Sequence, residues 1–365
     1  MGLSQITLTS YDTVVAVTQD TINEMLAVFL STLQKQVALY YTVDNNGNYV
    51  PTTPENAVYI FTGTLDYTLD ANGNPVNMVV LNSQIGPQTV LYNITFSNAE
   101  FKSTVAPTFD ITQQGGSPWI ISFQVNLSQV SAALSNLPAS AQATIQKATT
   151  GLDPNIFSIQ QLYIDLNTAV FDSLQNINGM NTFAESIFQG IMRSYLASLQ
   201  AQKGIVFGYS VVAAGLNTAL VPTFMPTALD FCVSPYTDAN GQHSDPQADT
   251  LNYLLMVSGR ALPPQPPDGF PFNFVDVDSN DIPLEQGAMA IRSGAIRRIP
   301  DQPAQSDPAI DLAGGLCEGQ RQRDCVRPDH AAQCRGQPHV HPGQSATRRR
   351  GCELLLRLTA SFRQH

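Results

Sequence analysis

The sequence predicts an α+β fold dominated by antiparallel sheet. Three observations predict it. Several runs alternate apolar and polar residues with a period of two, which is how a sheet with one buried face reads. Two segments instead place apolar residues at steps of three and four, the spacing of an amphipathic helix. An Asp-x-Asn-Gly turn recurs three times between strand candidates, and Asn-Gly tolerates the positive φ that tight hairpins require.

The elements follow in order. Ile22, Leu26, Phe29, Leu33, Val37 and Tyr40 form the first helical stripe, with Thr18 or Asp20 able to cap its start. Strand candidates lie at 57–69 and 76–82. Val90, Tyr92, Ile94 and Phe96 alternate with Leu91, Asn93, Thr95 and Ser97, and Trp119, Ile121, Phe123, Val125 and Leu127 repeat the pattern. A Ser-, Ala- and Pro-containing stretch at 128–155 reads as a soft boundary. Beyond it, Leu162, Ile164, Leu166 and Val170 lie on one side of a further strand. The second helix carries Phe183, Ile187, Phe188, Ile191, Met192, Tyr195, Leu196 and Leu199, and Gly204 suits its stop. Strand candidates at 204–214, 227–233 and 250–258 complete the body. The organisation expected is a first helix-plus-sheet unit over 1–150, a second over 151–291, and a separate segment over 292–365.

That last segment differs in composition. It holds twelve of the fourteen arginines, four of the five cysteines and four of the five histidines, with Phe362 as its one aromatic residue and no lysine. The body is acidic within a chain of formal net charge −11, so it lacks the clustered Lys and Arg that phosphate binding needs, and nucleic acid is not an expected partner. Two readings of 292–365 are open: a disordered basic extension, or a frame slip or retained intron. The abrupt onset, the arginine-without-lysine bias and the missing periodicity before Leu354 favour the second. Cys317, Cys325, Cys334 and Cys352 lack the paired spacing of zinc modules, so no metal is expected there.

Catalytic signals are missing from the body. It has no His-Glu-x-x-His, no nucleophile elbow and no phosphate-cradling glycine loop. His243, its single histidine, sits in a polar Asp-rich turn and reads as solvated; Cys232 reads as a small buried strand residue. Asp44, Asn46, Asn48 and Glu55 match four positions of a calcium loop, but Tyr49 stands where that loop needs glycine, so the hairpin reading is preferred. The expectation is a protein with no enzymatic activity, no cofactor and no metal. No apolar run is long enough to span a bilayer. Met1–Ile6 does not resemble a secretory signal, so synthesis in the cytoplasm is expected, with any export by a non-classical route.

A set of segments resembles a known family. Tyr11-Asp12-Thr13-Val14-Val15-Ala16-Val17 followed by Asp20-Thr21-Ile22-Asn23, then Leu251–Met256, Leu262 to Phe274 and Gly287–Arg292, are similar to segments of the OrfX-type and forty-seven-kilodalton accessory proteins of clostridial neurotoxin gene clusters. The family often has Trp where this chain has Tyr11. The resemblance implies a fold of the tubular lipid-binding (TULIP) superfamily: two modules, each a curved antiparallel sheet wrapped around a long helix beside an elongated apolar groove. The second module would then end short of its closing strands, because the family segment begun at Gly287 runs into the basic segment.

Carried onto the two helical stripes, the resemblance makes Leu26, Phe29, Leu33 and Val37, with Phe183, Ile187, Ile191 and Tyr195, the candidate groove residues. Plain core packing accounts for the same stripes. The ligand implied is a lipid or another hydrophobic small molecule, and peripheral membrane contact is compatible with such a role. The alternative is a ligand-free structural component of a toxin-associated or secreted assembly, whose partners are proteins encoded nearby.

Overall fold

The structure is a computed structural model that describes residues 8, 10–31, 35–66, 77–81, 83–114, 117–150, 157–202, 205–213, 225–277, 283–296 and 354–358. Its elements in chain order are β1 (Thr13–Thr18), α1 (Gln19–Ser31), β2 (Gln36–Val43), β3 (Tyr49–Pro51), β4 (Tyr59–Leu65), β5 (Val79–Val80), β6 (Thr89–Ser103), β7 (Phe109–Thr112), β8 (Trp119–Ala132), α2 (Ala139–Ala148), β9 (Phe157–Gln175), α3 (Thr182–Gln202), β10 (Ile205–Ala213), β11 (Pro226–Ser234), β12 (Thr250–Val257), β13 (Gly287–Ile291), α4 (Ser293–Ile296) and β14 (Leu354–Leu358). The fold is α+β, mostly antiparallel sheet with few helices, as the alternation predicts.

Two sheets carry it. The nine-stranded sheet runs β10-β9-β8-β6-β4-β2-β3, with β5 and β7 also paired to β6. Its register explains the alternating runs. Val90, Tyr92, Ile94 and Phe96 of β6 stand opposite Val125, Phe123, Ile121 and Trp119 of β8. All eight are buried, so one face of both strands is core and cross-strand pairs stabilise it. The five-stranded sheet runs β11-β12-β1-β13-β14. Its central strand β1 pairs with β12 on one side and β13 on the other. Chain order and sheet membership therefore cross. Strands from both sides of residue 150 share the nine-stranded sheet, and β1 sits among strands from beyond residue 225.

The helices differ partly from expectation. Thr18 caps α1, its Oγ1 accepting the Thr21 N–H at 3.2 Å. The helix ends at Ser31, however, and Val37 and Tyr40 belong to β2. The reason lies in the spacing: a helical step of four is also two strand periods. In β2 the buried positions are Val37 and Tyr41, four apart on one strand face. The stretch 128–155 is not a plain connection. It contains the end of β8 and α2, a helix whose Ile145 packs with Leu137 and Ile159 in a small satellite cluster. In the basic segment, Leu354–Leu358 forms β14 and pairs antiparallel with β13, Leu354 opposite Ile291.

The Asp-x-Asn-Gly turns act as hairpins. Asp44 accepts the N–H groups of Asn46 and Asn48 at 2.9 and 2.8 Å, and Gly47 sits at φ 82° between β2 and β3. Asp238 repeats this with Asn240 and Gln242, both at 2.8 Å. The third turn, at Asp70, lies outside the described residues, as do Cys317, Cys325, Cys334 and Cys352.

Candidate functional site

The seam between α3 and the nine-stranded sheet holds most of the candidate residues. Asn181 starts the helix by accepting the Ala184 N–H at 2.9 Å on its side-chain oxygen. Ala184, Ile187, Phe188, Ile191, Met192 and Leu196 then fall on one stripe, and all are buried in the main apolar cluster. The opposite face, with Ser186, Arg193 and Ala197, is exposed. At the far end, Gln200 Oε1 accepts the Leu166 N–H from β9 at 3.1 Å.

Two features set how closely α3 approaches the sheet. A Cβ on Gly190 would stand 2.7 Å from Cδ2 of Tyr49, so glycine lets the helix rest against that ring on edge strand β3. Four residues along, Ser194 is hydrogen-bonded to the Tyr41 hydroxyl on β2. The centre of the seam is filled by aromatic rings. Phe188 lies with its ring 5.6 Å from Phe61, 5.1 Å from Phe101 and 6.1 Å from Trp119, centroid to centroid. These separations suit edge-to-face packing.

Around this centre the apolar surface is only half-buried. Phe171 and Leu174 at the end of β9, Ile177 and Met180 in the connection to α3, and Tyr195 and Leu199 on the helix all pack against the main cluster while retaining partial exposure. Burial raises the Tyr195 hydroxyl to about 12, so it stays protonated at neutral pH.

The candidate groove residues therefore divide. Ile187 and Ile191 are fully buried, Tyr195 is half-buried, and Leu26 of α1 is buried in the same cluster. Val37 is buried too, but from β2 rather than a helix. Phe183 is instead 46% exposed. It precedes Ala184 by one residue, about 100° of helical turn, which carries it off the buried stripe. The Phe29 side chain and Leu33 lie outside the described residues.

Sequence reasoning missed a polar cluster. His243 is exposed in its turn, as expected, but its ring is also held: Nε2 lies 2.9 and 3.0 Å from the two carboxylate oxygens of Asp249. Asp249 is wholly buried and also accepts the Tyr236 N–H at 2.7 Å. Burial raises its carboxyl to about 6, against the opposing pull of its hydrogen bonds and of His243. No sequence motif links the two residues; the hairpin that returns the chain brings them together. Cys232 is buried as expected, with its thiol pushed up to about 12 by desolvation. Among the described residues no group of three or more His, Cys, Asp or Glu side chains is placed to hold a metal. No described helix is long and apolar enough to cross a membrane.

No protein family matches the chain, and no curated protein does. Among solved structures the chain is similar to P47 of Clostridium botulinum E1, at 13% identity and a TM-score of 0.45. The match covers 79% of this chain and 53% of the other, so the chain spans about half the length of that protein. At that identity no residue role passes from one chain to the other.

Proposed function

We propose that this protein is a non-enzymatic binder of a lipid or another elongated apolar molecule, held along the seam between α3 and the nine-stranded sheet. The observation that carries the reading is the half-buried apolar rim of Phe171, Leu174, Ile177, Met180, Tyr195 and Leu199, continuous with the buried stripe of α3. Such a rim needs no charge to hold an alkyl chain. Burial gains about 0.8 kcal/mol per methylene, so a twelve-carbon chain gains on the order of 10 kcal/mol before the costs of association.

Native mass spectrometry of the full chain, before and after delipidation, tests the reading together with uptake of a fluorescent fatty acid. A mass loss on delipidation and saturable uptake are expected. Equal masses with no uptake would count against it.

A second reading rests on the ring cluster at Phe188. A centre already filled by protein suits a ligand-free component of a toxin-associated or secreted assembly. Co-purification with the products of neighbouring genes, with no bound small molecule, would favour that reading over the first.

A further inference from the structure

The chain holds four Asn-Gly pairs, beginning at Asn46, Asn72, Asn178 and Asn240. The pair at Asn72 lies outside the described residues. Two of the others are tied into their turns. The Gly47 N–H donates to the Asp44 carbonyl at 3.0 Å, and the Gly241 N–H to the Asp238 carbonyl at 3.0 Å. The aspartate side chains hold the same turns again: Asp44 accepts the Asn48 N–H and Asp238 the Gln242 N–H, each at 2.8 Å.

Asn178-Gly179 differs. It lies in the connection between β9 and α3, and the residue two places before Asn178 is Asn176 instead of an aspartate. The Asn176 side chain is turned away, its Nδ2 donating to the Pro118 carbonyl at 3.0 Å. Asn178 and Gly179 are both exposed. Among the described residues nothing accepts the Gly179 N–H, and nothing bonds the Asn178 side chain. Gly179 sits at φ 82°, with no atom within 4 Å of where a Cβ would stand. Its nitrogen can therefore turn toward the Asn178 amide without breaking a hydrogen bond and without a side chain in the way.

We propose that Asn178 is a self-modification site, at which the folded chain converts its own asparagine to aspartate and isoaspartate. The Gly179 nitrogen bonds to the Asn178 Cγ and gives up its proton. The Cγ–Nδ2 bond breaks, and ammonia leaves with that proton. A five-membered imide is left, which water opens. Water at Cγ gives aspartate; water at the main-chain carbonyl gives isoaspartate, whose backbone is one methylene longer. Either product carries a new carboxyl group. Asn176 holds one end of the connection and Asn181, which caps α3, holds the other. The change therefore falls between Ile177 and Met180, both packed against the main cluster. The reaction requires no ligand at the α3 seam.

Peptide mapping by mass spectrometry of the full chain, held at pH 8 and sampled over time, tests the proposal. Conversion at Asn178 is expected to be about tenfold or more faster than at Asn46 or Asn240, since each of those must first break at least two hydrogen bonds. In denaturant the three rates should converge. Asp44→Ala, at an exposed turn position, should raise the rate at Asn46 toward that at Asn178, and a methyltransferase specific for isoaspartate should label the aged chain but not Asn178→Gln. Equal rates at the three sites in the folded chain, a spread that persists in denaturant, an Asn46 rate unmoved by Asp44→Ala, or equal labelling of Asn178→Gln overturns the proposal.

Discussion

Phe188→Ala is the most informative single change at the seam. The ring is fully buried on the sheet side of α3 and stands within 5.1 to 6.1 Å, centroid to centroid, of Phe61, Phe101 and Trp119. Removing a buried phenyl ring costs about 3–5 kcal/mol, the upper part of that range applying where neighbours cannot collapse into the space. Here they cannot readily do so. Phe61 is held against Phe96 at 4.8 Å, and Phe101 against Phe109 at 5.0 Å, so each ring that might move is pinned from behind. A loss of about 4 kcal/mol is therefore expected.

Urea unfolding of the full chain measures it, as a fall in midpoint at unchanged slope. Phe183→Ala, five residues earlier on the same helix but exposed, is the control and should shift stability by no more than about 0.5 kcal/mol. The cavity left by Phe188→Ala is lined by apolar groups and should take up a small apolar probe such as benzene or xenon. A loss below about 1 kcal/mol, or equal losses from the two variants, would refute the packing described and imply open space at the centre of the seam.

Three further outcomes are expected. Arg260→Ala strips the guanidinium from Asp12, a buried carboxylate that retains the Val257 N–H at 3.1 Å; urea unfolding should show a loss of about 3 kcal/mol, with Arg260→Met plus Asp12→Asn costing less. Asp249 is raised to about 6 in the folded chain, while its unfolded value is near 3.9. The folded state thus binds the extra proton, so its contribution is complete below about pH 4 and is lost as the pH rises to about 6, by about 3 kcal/mol in all; unfolding midpoints across that range should fall, and Asp249→Asn should level them. Cys232, with its thiol raised to about 12 by burial, should resist alkylation at pH 8 in the folded protein and react fully in denaturant; mass mapping of its peptide reads this, and rapid labelling of the folded chain would contradict the assignment.

Legibility in the sequence followed burial. Strands with one face in the core announced themselves, because alternation at Val90–Phe96 and Trp119–Leu127 maps directly onto the buried pairs between β6 and β8. Helix α3 was equally plain, since Ala184 through Leu196 keep a single stripe. Strand β1 gave no such signal. Its sequence, TVVAVT, is apolar on both faces because Val14 and Ala16 pack into the cluster around Cys232 and Leu254 while Val17 packs against the main cluster, and continuous apolar runs carry no period. Helix α2 was hidden for the opposite reason: ASAQATIQKA has few large apolar residues, and of them only Ile145 is buried. At the seam, the phase of the stripe separated Ile187 and Ile191 from Phe183 only once Ala184 and Phe188 were known to mark its centre. The His243–Asp249 contact had no periodic signature at all, since it depends on a hairpin folding back.

The placement of β1 gives α1 a role that neither sheet explains alone. Asp12, just before β1, contacts the Val257 N–H across 245 residues of chain, and closing so long a loop carries an entropic cost. Helix α1 reduces it. The helix leaves the five-stranded sheet directly from β1, yet Ile22 and Leu26 are buried in the cluster formed by the nine-stranded sheet and α3. Phe231, Val233 and Leu251 of β11 and β12 enter that same cluster, and the Val233 N–H reaches the Pro87 carbonyl at 2.8 Å. With α1 seated, β1 is held one residue away from a packed helix and beside the strands it must pair with, so the effective loop is short. The two sheets are therefore coupled both through residues 18 to 26 and through the direct contacts of β11 and β12 with the main cluster. A change that loosens Gln19 or the stripe behind it should weaken both sheets, whereas one confined to the outer strand β3 should weaken only the nine-stranded sheet.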